Sequence, residues 1–225
     1  MRSRPLTILV FAALLAGCQS DPTIQTGPDA EVSAEGLYRV DNSKVKMVWV
    51  KPGLNLSGYT KIKLVGDGIE YRAVRPARGT MRANSSRSAF PLDAKQRARL
   101  ESMVGEAFRD EISRSKHYTI VEDEGPEVLE VRGALFGVVS NVPPDIRDRG
   151  DIYLTRIGEA GLIIELRDSE SNEILARSIE RRWVDPVVAV RSNPATNMSE
   201  ARREIRRWAT LLRERLDSFH DEHVQ

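Results

Sequence analysis

Apolar residues along the chain recur with two periods. Lys61-Ile62-Lys63-Leu64-Val65 alternates with period two, as a strand buried on one face does. The alternation resumes at Ile69-Glu70-Tyr71 beyond the Gly66-Asp67-Gly68 interruption. Met47-Val48-Trp49-Val50, closed by the turn pair Pro52-Gly53, and Tyr118-Thr119-Ile120-Val121 predict two shorter strands. Residues 128–139 predict a long strand in two registers, with Gly133 and Gly137 as bulge or close-approach positions. Residues 160–168 and 174–183 flank the polar run Ser169-Glu170-Ser171-Asn172-Glu173 and predict a hairpin. Elsewhere the spacing is three and four. Leu100, Met103, Val104, Ala107, Phe108 and Ile112 form one helical stripe, opened by Asp93 and Gln96 as a capping box. Ile205, Trp208, Ala209, Leu212, Leu216 and Phe219 form a second, with Ser199 as its expected cap. Both stripes read as core surfaces.

Two strands, a helix, four strands and a closing helix predict an α+β fold, a mostly antiparallel sheet with two amphipathic helices packed on one face. Residues 72–91 and 184–197 have neither period and predict loops. Residues 18–43 are polar, with scattered apolar positions, and predict a disordered tether of about 25–30 Å root-mean-square span. Residues 44–225 are then a single α+β domain, a size within the usual domain range.

The first seventeen residues read as an address. Arg2 and Arg4 precede the apolar run Leu6-Thr7-Ile8-Leu9-Val10-Phe11-Ala12-Ala13-Leu14-Leu15, which is too short for a permanent span and fits a secretion signal. Leu15-Ala16-Gly17-Cys18 resembles the lipobox of bacterial lipoproteins at every position. The resemblance implies cleavage before Cys18 and a diacylglycerol on its sulfur, with a third acyl chain on the new amino group. Two or more acyl chains anchor stably. Gln19 in place of Asp favours delivery to the periplasmic face of the outer membrane, by analogy with lipoprotein sorting. Cys18 is the single cysteine among 225 residues, which excludes an intramolecular disulfide, a multi-cysteine metal site and a cysteine nucleophile elsewhere in the chain. Lys+Arg 34 against Asp+Glu 33 gives net +1, and loss of Arg2 and Arg4 leaves the mature chain near −1, so no nucleic acid is expected as a partner.

Val48-Trp49-Val50-Lys51-Pro52-Gly53, followed by Leu56-Ser57 and Tyr59, makes the pattern V-x-V-K-P-G-x-x-L-S-x-Y. With Gly125-Pro126-Glu127-Val128-Leu129, Glu165-Leu166-Arg167-Asp168-Ser169, Ile179-Glu180-Arg181-Arg182 and the closing helix around Trp208, it resembles an uncharacterised family of proteobacterial lipoproteins over roughly residues 45–220. The resemblance implies an envelope lipoprotein and carries no catalytic or ligand residues. The element order is also similar to small periplasmic domains of envelope-assembly and secretion lipoproteins, an architectural analogy only.

Candidate chemistry is sparse. Arg72, Arg75, Arg78, Arg82 and Arg87 lie in one loop with no acid among them, a pattern suited to phosphate or carboxylate and thus to an anionic lipid or acidic partner. A solvated loop in an Arg-biased chain explains the same residues. Arg202, Arg203, Arg206 and Arg207 are interleaved with Glu200 and Glu204 and read as a solvated helix face. His220 and His223, at i,i+3, have the spacing of a weak metal site in a fraying tail, and no metal is expected. Arg149-Gly150-Asp151 is too short a match to an adhesion tripeptide to carry weight. Asp67, Glu70 and Asp185 are the carboxylates a hydrolase would need, with nothing in the sequence to bring two together. Gly-x-Ser-x-Gly, phosphate-loop and His-Glu-x-x-His motifs are absent from the sequence. These observations favour a non-catalytic binding module with no cofactor beyond the lipid on Cys18, a membrane contact through that lipid, and an envelope protein as partner. The expected contact surfaces are a sheet edge or the loops at 140–159 and 184–198. A carrier or sensor of an envelope lipid or anionic small molecule is the alternative, and a carboxylate hydrolase the third reading.

Overall fold

The structure is a computed structural model that describes residues 21–74, 89–143 and 152–222. In chain order these residues form β1 (Thr23–Ile24), β2 (Tyr38–Asp41), β3 (Met47–Val50), β4 (Lys61–Tyr71), α1 (Ala94–Ile112), β5 (Thr119–Val121) and β6 (Val128–Ser140). β7 (Tyr153–Leu154), β8 (Gly158–Asp168), β9 (Ile174–Val184), β10 (Val190–Arg191) and α2 (Pro194–Glu222) follow. Among the described residues, eight strands join one sheet in the order β1-β2-β3-β9-β8-β6-β4-β5, and β7 pairs with β10 beside it.

Most neighbours are antiparallel, as the hairpin-like pattern leads one to expect, but β4 runs parallel to both β5 and β6. The 19-residue helix α1 is the reason. It carries the chain back the length of the sheet before β5 starts, and such a crossover delivers parallel strands.

Alternation sorts the long central strands. Leu129, Val131 and Leu135 of β6, with Leu162, Ile164 and Leu166 of β8, share one core with Ile112 of α1 and Trp208 and Leu216 of α2. A second cluster, Met103 and Ala107 of α1 against Ile205 of α2, joins the helices to each other. The intervening residues carry charge. Arg132, Glu165 and Arg177 lie side by side across β6, β8 and β9. Glu165 accepts from Arg177 at 2.7 Å and from Arg167 at 2.6 Å. Asp93 and Gln96 form the expected capping box, each side chain accepting from the other's backbone N–H at 2.8 Å.

Three expectations need correction. The segment read as a tether up to residue 43 is ordered from Thr23: β1 and β2 extend the sheet, and Leu37 is 1% exposed. Arg177 donates to both Glu35 oxygens, at 2.8 and 3.2 Å, so a polar-looking stretch is clamped onto β9. The second helix starts at Pro194, not after Ser199. The carboxamide oxygen of Asn193 accepts from the Thr196 N–H at 2.9 Å, and proline suits the first helical position because its missing N–H would lack a partner there. The two glycines read as bulge or close-approach positions divide: the β6–β8 register slips between Phe136 and Val139, where Gly137 has φ +60, whereas Gly133 stays in register opposite Ile164 of β8 and borders the slip between β6 and β4.

Candidate functional site

Because β4 and β6 run in the same direction, and β8 and β9 form a hairpin, three connections leave the same end of the sheet. They are the 72–93 segment after β4, the 141–157 segment between β6 and β8, and the 185–193 segment between β9 and α2. Gathering of loops at one end of a rigid sheet is the usual geometry of a recognition surface.

The described parts of this end are firmly built. Ile157 N–H donates to Val184 at 2.8 Å, Asn141 N–H to Ile157 at 2.8 Å, and Ser192 N–H to Ile152 at 2.7 Å. β7 and β10 pair through Leu154–Val190 and Tyr153–Arg191. Leu154 and Ile157 turn inward and are buried. Four large apolar side chains turn outward among polar neighbours such as Thr155, Asp185 and Arg191: Val187 is 89% exposed, Val188 70%, Tyr153 61% and Trp183 44%. The Arg156 guanidinium lies 3.8 Å over the Trp183 ring and its Nε donates to Asp185 at 3.2 Å, which fixes the indole. Arg203 of α2 donates to the Asp185 carbonyl at 3.2 Å and ties the 185–193 loop down. Two exposed valines and two exposed aromatics thus lie in or beside the bonded loops at this end of the sheet.

The sequence candidates fare unevenly. Arg72 donates to Glu159 at 2.6 Å, and Glu159 also accepts from Arg181 at 3.2 Å while being 4% exposed. Its guanidinium thus neutralises a buried carboxylate. Arg75, Arg78, Arg82 and Arg87 lie outside the described residues, as do Cys18, His223 and the Arg149-Gly150-Asp151 triplet. Asp67 is held at both oxygens by Arg132, at 2.7 and 3.0 Å, and this contact keeps its carboxyl below the ordinary range. Asp185 is paired with Arg156. Both are counter-ions to arginine, a poor state for a general acid. Arg203 pairs with Glu200 at 2.6 Å, while Arg202 and Arg206 are exposed on α2.

The exposed residues Tyr153, Trp183, Val187 and Val188 lie within or beside the expected loops, but the sequence did not single them out. A Val-Val pair inside an aperiodic, polar stretch was the available signal. His117 was also missed, because its neighbours His220 and Asp221 are about a hundred positions away.

Two apolar cavities lie between sheet and helices. One of about 380 Å³ sits under α1, against Leu64, Val104, Phe108, Val131 and Leu135, with Glu101 and Arg109 as its charged lining residues. The other, of about 150 Å³, sits under α2 against Val48, Trp208 and Phe219 and also touches Pro22. Leu162 and Ile164 line both. Among the described residues, no helix is long and apolar enough to cross a membrane.

The family pattern is structural in this fold. The Leu54 N–H closes the Pro52-Gly53 turn onto the Lys51 carbonyl at 3.1 Å, and Val50 and Leu56 are buried. The Tyr59 hydroxyl donates to Asp168 at 2.9 Å, while the same carboxylate accepts from the Ser171 N–H and hydroxyl in the hairpin turn. The pattern thus locks the first turn to the far hairpin.

A model of one family matches residues 33–212, and the chain belongs to that family, the proteins of unknown function designated DUF3313. No curated protein matches the chain. Solved structures that resemble it loosely include a DUF330-family protein of Xanthomonas campestris, with 12% identity over 78% of this chain and 93% of that one, TM-score 0.41. A putative neuraminyllactose-binding hemagglutinin homologue of Helicobacter pylori shows 11% identity over 76% and 89%, TM-score 0.40. The PelC dodecamer of Paraburkholderia phytofirmans shows 14% identity over 72% of this chain and 96% of that one, TM-score 0.36. Likenesses this loose carry no functional argument.

Proposed function

We propose that this protein is a lipid-anchored, non-catalytic binding module on the periplasmic face of the outer membrane, which holds another envelope protein through the loop end of its sheet. The observation that carries the reading is the outward presentation of Tyr153, Trp183, Val187 and Val188 on a base fixed by backbone hydrogen bonds. The Arg156 contact holds the Trp183 indole in place, and a ring already fixed loses little entropy on binding. The sequence supports the location, through Leu15-Ala16-Gly17-Cys18, and two of the three candidate carboxylates, Asp67 and Asp185, are paired with Arg132 and Arg156.

A photo-reactive residue placed at Val187 in the intact host tests the proposal, with one at Ser171 on the opposite turn as control. The expected result is a single protein adduct from Val187 and none from Ser171. Absence of an adduct from Val187, or equal labelling from both, refutes it. A second reading rests on the cavity under α1: at about 380 Å³, it exceeds the roughly 300 Å³ at which small-molecule sites begin. Under that reading the protein carries or senses an apolar envelope molecule, and native mass spectrometry of protein taken from host membranes shows a bound lipid. A ligand-free mass throughout disposes of it.

A further inference from the structure

The ends of α1 and α2 meet at the edge of the sheet opposite the loop surface. The two helices run in the same direction, so the turn after α1 faces the last turn of α2. Ser115 and Asp217 hydrogen-bond there, and Arg213 reaches both Glu111 and Asp217. Just beyond this network His117 Nε2 lies 2.9 Å from Asp221 Oδ1. The His117 and His220 rings stack with centroids 4.2 Å apart and planes 15° from parallel, and Tyr118 sets its edge against His220. One ligand atom each from His117, His220 and Asp221 falls within 4.8 Å of the others.

Stacking and packing do not account for one feature of this cluster. His220 Nδ1 is shut off from water and has no hydrogen-bond partner among the described residues. A nitrogen in that state has lost its hydration and gained nothing in return.

We infer that His117, His220 and Asp221 form a site for a divalent transition-metal ion of the zinc class. Two imidazole nitrogens and one carboxylate oxygen suit such an ion, with bonds of about 2.0–2.2 Å and a fourth position open to water. Ligand atoms around a tetrahedral centre with such bonds stand roughly 3.3 Å apart, so closing on an ion requires one imidazole to rotate out of the present stack until both ring nitrogens point at the same centre. Asp221 is largely exposed, which gives the ion a route in. Bound there, the ion staples the start of β5 to the end of α2, joining parts of the chain about a hundred residues apart. The inference does not depend on the binding function proposed for the loop end.

The test is calorimetric titration of the full chain, purified in detergent and stripped with chelator, with Zn²⁺ alone. One ion per chain is expected, with micromolar or tighter affinity. His117→Ala and His220→Ala should each weaken binding at least tenfold, with far-UV circular dichroism confirming that the variants stay folded. Saturating Zn²⁺ should raise the melting temperature of the parent chain and leave that of His117→Ala unchanged. Should His117→Ala misfold, His117→Gln supplies the same readout with a side chain of similar size. Failure of the parent chain to bind Zn²⁺ overturns the site. So does binding that survives His117→Ala but is lost in His223→Ala, because the ion would then belong to the i,i+3 pair of the terminal tail.

Discussion

Gly161 on β8 stands opposite Phe136 on β6, and the aromatic ring covers the glycine. A Cβ added at 161 would lie 2.2 Å from two ring carbons of Phe136, so any side chain must push the ring aside. The ring also lies beneath Arg181, whose guanidinium is 5.2 Å from its centroid, and Arg181 in turn reaches the buried Glu159. Displacing the ring therefore disturbs a charge pair as well as the packing. Gly161→Val should destabilise by about 1–3 kcal/mol, the usual cost of overpacking. Chemical denaturation of a double-mutant cycle checks this, since in a Phe136→Ala background the same change should cost much less. Equal costs in both backgrounds would remove the ring from the explanation. No reading of the sequence identifies this glycine, because its necessity arises from a neighbour on another strand. The turn after Val50 is different: Lys51-Pro52-Gly53 announces itself, and it is found where expected.

Long elements with a clear period were legible from the sequence. β4, β6, β8, β9 and both helical stripes fall where the alternation puts them, because each buries one continuous face. β1 and β2 were not legible, being two and four residues long with Val40 alone buried among the six. β7 and β10 escaped for the same reason. The start of α2 was misplaced because Ser199 and Asn193 are both respectable caps by composition. Proline at 194 was the deciding signal, since it favours the first helical position. Replacing Asn193 with Ala should cost about 1 kcal/mol, the ordinary penalty for losing a cap. Ser199→Ala, inside the helix, should be nearly neutral. Urea denaturation of the two variants separates the assignments, and a larger loss at Ser199 would return the helix start to the position read from sequence.

At the scale of the whole molecule, the loop end was foreseeable only in part. The sequence points to the loops at 140–159 and 184–198, but it does not say that β4 runs parallel to β6 and so brings the 72–93 segment to the same end. The charged side of the sheet is likewise a property of the assembled strands, and it determines how the molecule responds to pH. Arg177, by hydrogen bonding, pulls the Glu35 carboxyl down to about 2. Arg132 lowers Asp67, and the Ser171 N–H and hydroxyl lower Asp168. At Glu165, burial pushes the carboxyl up, but the hydrogen bonds and charges of Arg167 and Arg177 outweigh it and the net shift is downward. Each of these groups binds its proton less readily when folded than when unfolded. Their contribution is complete above the ordinary carboxylate range and is lost as pH falls through that range toward 2. The tyrosines act at the other limit. Burial, then the bond to Asp168, raises the Tyr59 hydroxyl to about 12, and burial also raises Tyr71 and Tyr118. A group whose folded value is raised stabilises below its unfolded value of 10.0 and loses that contribution as pH climbs from there toward 12. Urea midpoints measured from pH 2.5 to 11.5 should therefore form a plateau between about 5 and 9 with a fall on each side. Arg177→Met should reduce the acid fall, because Glu35 then loses the partner that depresses it and Glu165 keeps only Arg167 of its two, while the alkaline limb stays where it was. A midpoint flat down to pH 2.5 would mean that the carboxylates of the charged side do not hold the fold together.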